Sequence, residues 1–194
     1  MKTLFLSLCF TLLASVIFAQ TKNRISISYA SANNGVDIKE GWIGDMGYTG
    51  KSGSLLEVKF SRNINSFFAV ETGLQYAHNK IETHYFPDGI MHYKNSEINL
   101  VSVPVYGNLT FLKYFFAETG PTFDFEFNHA DSSSPQNQSG IGLGFGAGGK
   151  YTFNHVSIII NPFFQRQRMV TFNGDDYVEH LWQSGIKFGL GYSF

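Results

Sequence analysis

Eight ionisable side chains are spaced so that they could act together. Glu57 and Lys59 stand two apart, Glu71 and Glu118 each open a Glu-Thr-Gly tripeptide, Asp124 and Glu126 again stand two apart, and Lys150 and Lys187 follow. Carboxylates beside amines are the raw material of general acid–base catalysis, in which one group takes a proton and another returns it. The same groups shut away from water would instead neutralise one another, because an unpaired charge in a low-dielectric interior is costly. The expectation is the second: an interior polar network of paired acids and bases.

Other chemistry is thinner. His78, His84 and His92 with Glu82 offer imidazoles and a carboxylate, yet spacings of six and eight match no ligand grammar for zinc or copper. His180 and Ser184 share a parity near the C-terminus, as a small lipid-acting hydrolase would need, but no acidic partner can be assigned to them. Asp37, Glu40 and Asp45 lie among glycines in an order unlike an EF-hand loop. The glycine run 140–149 opens no helix, so it is not a dinucleotide fingerprint. No catalytic residue, metal or cofactor is expected.

The elements that must position these residues have period two. Ile25, Ile27 and Tyr29 alternate with Arg24, Ser26 and Ser28; Leu56, Val58 and Phe60 with Glu57, Lys59 and Ser61. Phe68 to Tyr76, Val101 to Tyr106, Phe123 to Phe127, Ile141 to Gly148 and Trp182 to Phe194 continue the pattern. Such alternation marks strands with two unlike faces. A stretch around Val156 to Phe164 is apolar on both parities and cannot be oriented from its pattern. That makes eight strands, each long enough for the 9–11 residues of a tilted membrane-crossing strand. Short connections are expected at 62–65, 110–113 and 152–155, and long ones at 31–53, 79–95, 128–139 and 168–177. Short turns on one side and long loops on the other describe an up-and-down barrel with both termini at the short-turn side. A weak echo, Phe67-Phe-Ala-Val-Glu71-Thr-Gly73 against Phe115-Phe-Ala-Glu118-Thr-Gly120, fits a repeated hairpin.

Composition decides which kind of barrel. The 194 residues include 20 Phe, 10 Tyr and 2 Trp, and only 15% are charged, against about a quarter in soluble domains. Basic and acidic residues number 14 and 15, which leaves no electrostatic footprint for nucleic acid. The polar faces are small and glycine-rich, suited to a narrow interior, while the bulky aromatics lie on the opposite faces. A soluble barrel would have the reverse polarity. The expected fold is therefore all-β, an eight-stranded antiparallel up-and-down transmembrane β-barrel.

The ends of the chain carry addresses. Lys2, the apolar run 4–18 and Ala19 fit a secretory signal peptide covering residues 1–19 and cleaved before Gln20, leaving a barrel domain of residues 20–194. Cleavage would remove Cys9, the sole cysteine. At the other end, Phe188, Leu190, Tyr192 and Phe194 alternate up to a terminal aromatic. This resembles the recognition strand of the outer-membrane barrel assembly machinery, an expected partner during biogenesis.

The segment Asn99-Leu-Val-Ser-Val-Pro104-Val-Tyr-Gly-Asn108-Leu-Thr-Phe-Leu-Lys-Tyr-Phe-Phe-Ala-Glu118-Thr-Gly120-Pro121 is similar to the PorT-like outer-membrane β-barrel domain family. That resemblance implies an integral outer-membrane protein of a Gram-negative-type envelope, surrounded by lipid, and little about activity. Asn108 departs from it where a basic residue is common, so one interior charge pairing is expected to be missing. The aromatics Trp42, Tyr48, Tyr85, Phe86 and Tyr93 fall in the long connections and are the candidates for surface contact. The expected role is a structural or surface-interaction one for a monomer with an unidentified surface partner. The alternatives are a small lipid-acting enzyme and a narrow solute channel.

Overall fold

The computed structural model describes residues 23–38, 46–86, 89–127, 135–172 and 179–194. Residues 1–19, expected to be a signal peptide, lie outside them together with Trp42, Glu40 and Asp45. Eight strands run β1 (Asn23–Ile38), β2 (Met46–Asn63), β3 (Phe68–Tyr85), β4 (His92–Phe111), β5 (Phe115–Phe127), β6 (Gly140–Phe153), β7 (Val156–Thr171) and β8 (Glu179–Ser193). Each pairs antiparallel with its sequence neighbours, and β1 pairs with β8 from Arg24↔Ser193 to Ile38↔Glu179, which closes the barrel. Closure satisfies every ladder, the condition for placing a sheet in lipid.

The faces are inverted relative to a soluble protein. Ile25, Ile27, Leu56, Val58, Leu74, Phe125, Phe145, Ile158, Phe188 and Leu190 point outward and are exposed. Ser26, Ser28, Glu57, Lys59, Glu71, Asp124 and Lys187 point inward and are buried. An apolar belt around a polar lumen is the arrangement of an outer-membrane barrel, with the short turns facing the periplasm. The protein is accordingly one of the outer membrane of a Gram-negative-type envelope. Strand β7, apolar on both parities, is oriented by Ser157, Asn161, Gln165 and Gln167, which are all buried, while Ile158, Ile160 and Phe164 face out.

Three of the turns lie at the periplasmic end. Asn65 Oδ1 accepts from the backbone N–H of Phe67 (3.0 Å) and Phe68 (2.7 Å), which tightens the β2–β3 turn. Leu112 and Lys113 (φ 51° and 64°) turn β4 into β5, and Asn154 (φ 58°) turns β6 into β7. At the other end the strands outrun the expected loops. The stretches read as loops at 31–53 and 79–95 are mostly strand, since β1 continues to Ile38, β2 begins at Met46, β3 reaches Tyr85 and β4 begins at His92. The apolar–polar alternation that marks a strand in lipid fades once the outward face meets water. Ladder pairing needs no such contrast, so the strands carry on.

The echoed tripeptides have matching roles. Gly73 and Gly120 each leave no room for a Cβ, which would collide with the carbonyl oxygen of Val58 and Val105 on the preceding strand. Two glycines thereby let the wall bend where Glu71 and Glu118 turn inward.

Candidate functional site

The lumen is filled in layers. Nearest the periplasm lies an ionic cluster centred on Lys59, whose Nζ is 2.7 Å from Glu118 Oε2, 3.0 Å from Glu71 Oε2 and 3.5 Å from Glu57 Oε1. Arg24 Nη2 lies 3.0 Å from Glu71 Oε1, and Lys187 Nζ lies 2.9 Å from Glu57 Oε2. Three carboxylates thus meet three cations, and the cluster is neutral. Amides complete it: Asn161 Nδ2 donates to Glu118 Oε1 at 2.8 Å, and Gln75 Nε2 donates to Glu57 Oε2. Lys59 also sits over the Tyr106 ring (5.7 Å to its centroid) and Lys187 over Phe163 (4.9 Å). A salt-bridged plug of this kind, on seven strands at once, ties the wall together across the lumen.

Of the eight residues expected in that network, the structure joins Glu57, Lys59, Glu71, Glu118 and Lys187. The other three lie outside that cluster. Asp124 accepts from Thr122 Oγ1 at 3.1 Å and has no cation beside it among the described residues. Glu126 lies further out and accepts from the Gln138 backbone N–H. Lys150 turns to the periplasmic mouth, where Nζ donates to Thr110 Oγ1 at 2.8 Å. The pairing thought missing at Asn108 is made from elsewhere: Asn108 lies opposite Glu118 in the ladder, and Lys59 reaches that carboxylate from β2. Arg24, Gln75 and Asn161 complete the cluster though the charge pattern did not single them out. The inward parity of Arg24 and Gln75 is readable and that of Asn161 on β7 is not, and only the closed ring brings β1, β3 and β7 together.

Outward of the cluster come an apolar layer and an amide layer. Leu55, Ala77, Ile81, Ile98, Leu100, Phe163 and Leu181 pack into one core. Asn79 Oδ1 accepts from Asn34 Nδ2 (2.9 Å) and Gln183 Nε2 (2.7 Å), and Gln183 Oε1 accepts from Gln167 Nε2 (3.1 Å). The outer mouth is then closed by residues 135–139. Gln138 is fully buried, accepting from the Leu181 N–H at 2.9 Å and donating to the Glu179 carbonyl at 3.1 Å. The free space beside the ionic cluster is about 10 Å³, room for a single water.

The loop aromatics divide. Tyr48 is not a surface residue: an extra residue in β2, between Gly50 and Ser52, reverses the parity and turns the ring inward. There it packs against the core and donates to Glu179 Oε1 at 2.8 Å. Tyr85 stacks on His92 at 5.3 Å, and Tyr93 meets His84 edge-on at 4.9 Å. Phe86 and Tyr93 are 42% and 63% exposed and share the β3–β4 tip with Ile90 (63%) and Met91 (49%). Those two aliphatic residues were not among the sequence candidates, which were chosen for aromaticity alone.

The remaining chemistry is dispersed. His84 Nε2 meets Glu82 Oε1 at 3.1 Å, His78 Nδ1 meets Asn99 Oδ1 at 2.7 Å, and His92 is stacked as described. No grouping of three or more metal-ligating side chains occurs among the described residues. Asp37 lies opposite His180 in the β1–β8 ladder, an acid that the sequence could not place, but Arg166 Nη2 stands 3.4 Å from its carboxylate. His180 and Ser184 are four residues apart on one strand, which separates them by about 13 Å. Phe188, Leu190, Tyr192 and Phe194 all face outward and are exposed, and Phe194 exchanges backbone hydrogen bonds with Asn23 at 2.8 Å.

No protein-family model matches the chain, and no curated protein matches it in sequence. In structure it is similar to the outer membrane protein OprG from Pseudomonas aeruginosa, with a TM-score of 0.56 and 12% identity over 89% of this chain and 95% of that one. It is also similar to the outer membrane protein AlkL, solved in lipid bilayers, with a TM-score of 0.52 and 13% identity over 90% of each chain. At such identities the likeness is one of fold: this chain is built as a small eight-stranded outer-membrane β-barrel.

Proposed function

We propose that this barrel is a surface-recognition protein that presents the β3–β4 hairpin to a partner outside the cell. The observation that carries this reading is the apolar tip formed by Phe86, Ile90, Met91 and Tyr93, all exposed. Below it the outward face of the hairpin is polar, with His78, Lys80, Glu82, His84, Asn95 and Glu97. Tyr85 lies nine positions beyond Tyr76, the last outward apolar residue of the β3 belt. At about 3.3 Å per residue and a tilt near 40° they lift the tip roughly 20 Å beyond that belt. Apolar side chains held that far from lipid, on a polar stalk, gain by meeting another surface.

The filled lumen and closed outer mouth give a solute channel no passage, and His180, Ser184 and Asp37 give a lipid hydrolase no assembled triad. Both features support contact over catalysis or transport as the role. Closure leaves no strand edge for a second copy to pair with, which supports a monomer. A finer kinship with the PorT-like barrels rests on the segment 99–121, which folds as β4, turn and β5 and supplies Glu118 and Gly120 to the wall.

The test has two parts. Met91→Cys, made with Cys9 replaced by Ser, should react with a membrane-impermeant maleimide on intact cells. Cells displaying the triple variant Phe86→Ser, Met91→Ser, Tyr93→Ser should then lose adherence to protein-coated or polysaccharide-coated surfaces that the unaltered barrel supports. Equal adherence at equal surface labelling refutes the reading.

A further inference from the structure

We propose that the periplasmic mouth of the barrel holds a binding site for a phosphate group, built by Lys113 and Lys150. The two lysines line a pocket of about 270 Å³ between the β2–β3 turn and the β4–β5 turn, together with Asn65, Ser66, Phe68 and Thr110. Lys150 is fixed there by its backbone N–H, which donates to the Tyr114 carbonyl at 2.6 Å. Its ammonium spends one donor on Thr110 Oγ1 at 2.8 Å, leaving two of three to offer. Lys113 occupies a left-handed turn position (φ 64°) at the rim.

No carboxylate lines this pocket. The nearest acid inward is Glu71, already held by Lys59 and Arg24 at 3.0 Å each. Among the described residues Lys113 and Lys150 have no carboxylate partner, whereas the cations of the ionic cluster above are matched one for one. The neutral lining adds donors. Asn65 has committed its carbonyl oxygen to the Phe67 and Phe68 amides, so its NH₂ is what remains, and Ser66 contributes a hydroxyl. Two ammonium groups with amide and hydroxyl donors converging on one space suit an oxyanion of several acceptor oxygens, which a phosphate supplies. The level of the pocket also fits. Tyr114 stacks on Tyr151 at 6.0 Å and Phe111 on Phe115 at 6.1 Å on the outer wall beside it. Aromatic girdles of this kind mark the depth of lipid headgroups. The phosphate can therefore belong to a phospholipid of the inner leaflet or to a soluble molecule of the periplasm.

The experiment uses the full barrel, refolded without phosphate, with its folding checked by heat-modifiable migration. Inorganic phosphate is titrated into the protein in a phosphate-free detergent, followed by ³¹P line broadening. In parallel, native mass spectrometry counts lipid retained from nanodiscs of phosphatidylglycerol or of digalactosyldiacylglycerol, which has no phosphate. Lys113→Asn keeps a residue that tolerates the left-handed turn, and Lys150→Met keeps the side-chain length. Lys80→Met, on the opposite rim, is the control. Removing both lysines should weaken phosphate binding or phosphatidylglycerol retention by about tenfold or more, while Lys113→Asn alone weakens it without touching the barrel interior. Retention of phosphatidylglycerol but no binding of free phosphate assigns the site to lipid; the reverse assigns it to a soluble phosphate. Absence of both, or equal signals from the double variant and the unaltered protein, overturns the proposal.

Discussion

Replacing Lys59 by Met is the sharpest test of the account given for the interior. Methionine keeps much of the length and volume of the side chain but removes its charge. Two of the three carboxylates around it keep a cation: Glu71 retains Arg24 at 3.0 Å and Glu57 retains Lys187 at 2.9 Å. Glu118 does not. It is only 2% exposed, and with Lys59 gone the donor left to it among the described residues is the Asn161 amide at 2.8 Å. An uncompensated buried carboxylate costs about 3–5 kcal/mol, a large part of a marginal stability. The exposed pair Lys80 and Glu97, 3.6 Å apart, offers the contrast, and Lys80→Met should change stability by less than about 1 kcal/mol. The assay is equilibrium urea unfolding in detergent, followed by tryptophan fluorescence under conditions where folding and unfolding curves coincide. The double variant Lys59→Met, Glu118→Gln restores neutrality and should recover a substantial part of the loss, giving a coupling energy within the about 0.5–3 kcal/mol range of contacting groups or above it. The reasoning is refuted if Lys59→Met lies within about 1 kcal/mol of the unaltered protein, or if the double variant is no more stable than Lys59→Met.

Three further outcomes are expected. Gly73→Ala and Gly120→Ala should each impair folding, seen as loss of the compact band on a semi-native gel, because the added methyl collides with a neighbouring carbonyl oxygen; the same change at Gly47, where a Cβ meets nothing within 4 Å, should be tolerated. Planar-bilayer recordings should show no discrete conductance, since the space beside the ionic cluster holds about one water and the mouth is closed by Gln138; stable unitary steps would contradict the filled lumen. Gln138→Ala should leave the Leu181 amide without its 2.9 Å acceptor, destabilise the outer mouth by about 1–3 kcal/mol and speed hydrogen exchange at that amide, whereas unchanged exchange would show that residues 135–139 do not seal the barrel.

Much of the wall is legible in the chain. Alternation of Ile25, Ile27 and Tyr29 against serines, or of Phe123 and Phe125 against Asp124, tells which face meets lipid, because a strand sends successive side chains to opposite sides. Strand ends are less legible. Beyond Tyr76 the outward residues turn polar, and His78 to His84 looks like loop although it is ladder. Tyr48 shows a second limit, for one additional residue in β2 reverses parity and converts an apparent surface aromatic into a plug. The ionic cluster lies between these cases. The inward parity of Glu57, Lys59, Glu71 and Glu118 follows from counting by two, but that Lys59 serves three of the acids, while Asp124 has no cation among the described residues, does not.

By itself, then, the order of residues determined that the chain is a strand-built membrane barrel with a polar lumen, since period-two patterning and composition are local properties of the polymer. The tertiary structure alone decided which charges meet, which loop residues fold inward and where cations are left over. Those depend on register and curvature: Lys59 and Glu118 are 59 positions apart, and only closure of β1 on β8 brings Arg24, Glu57 and Lys187 to one level of a lumen a few side chains wide.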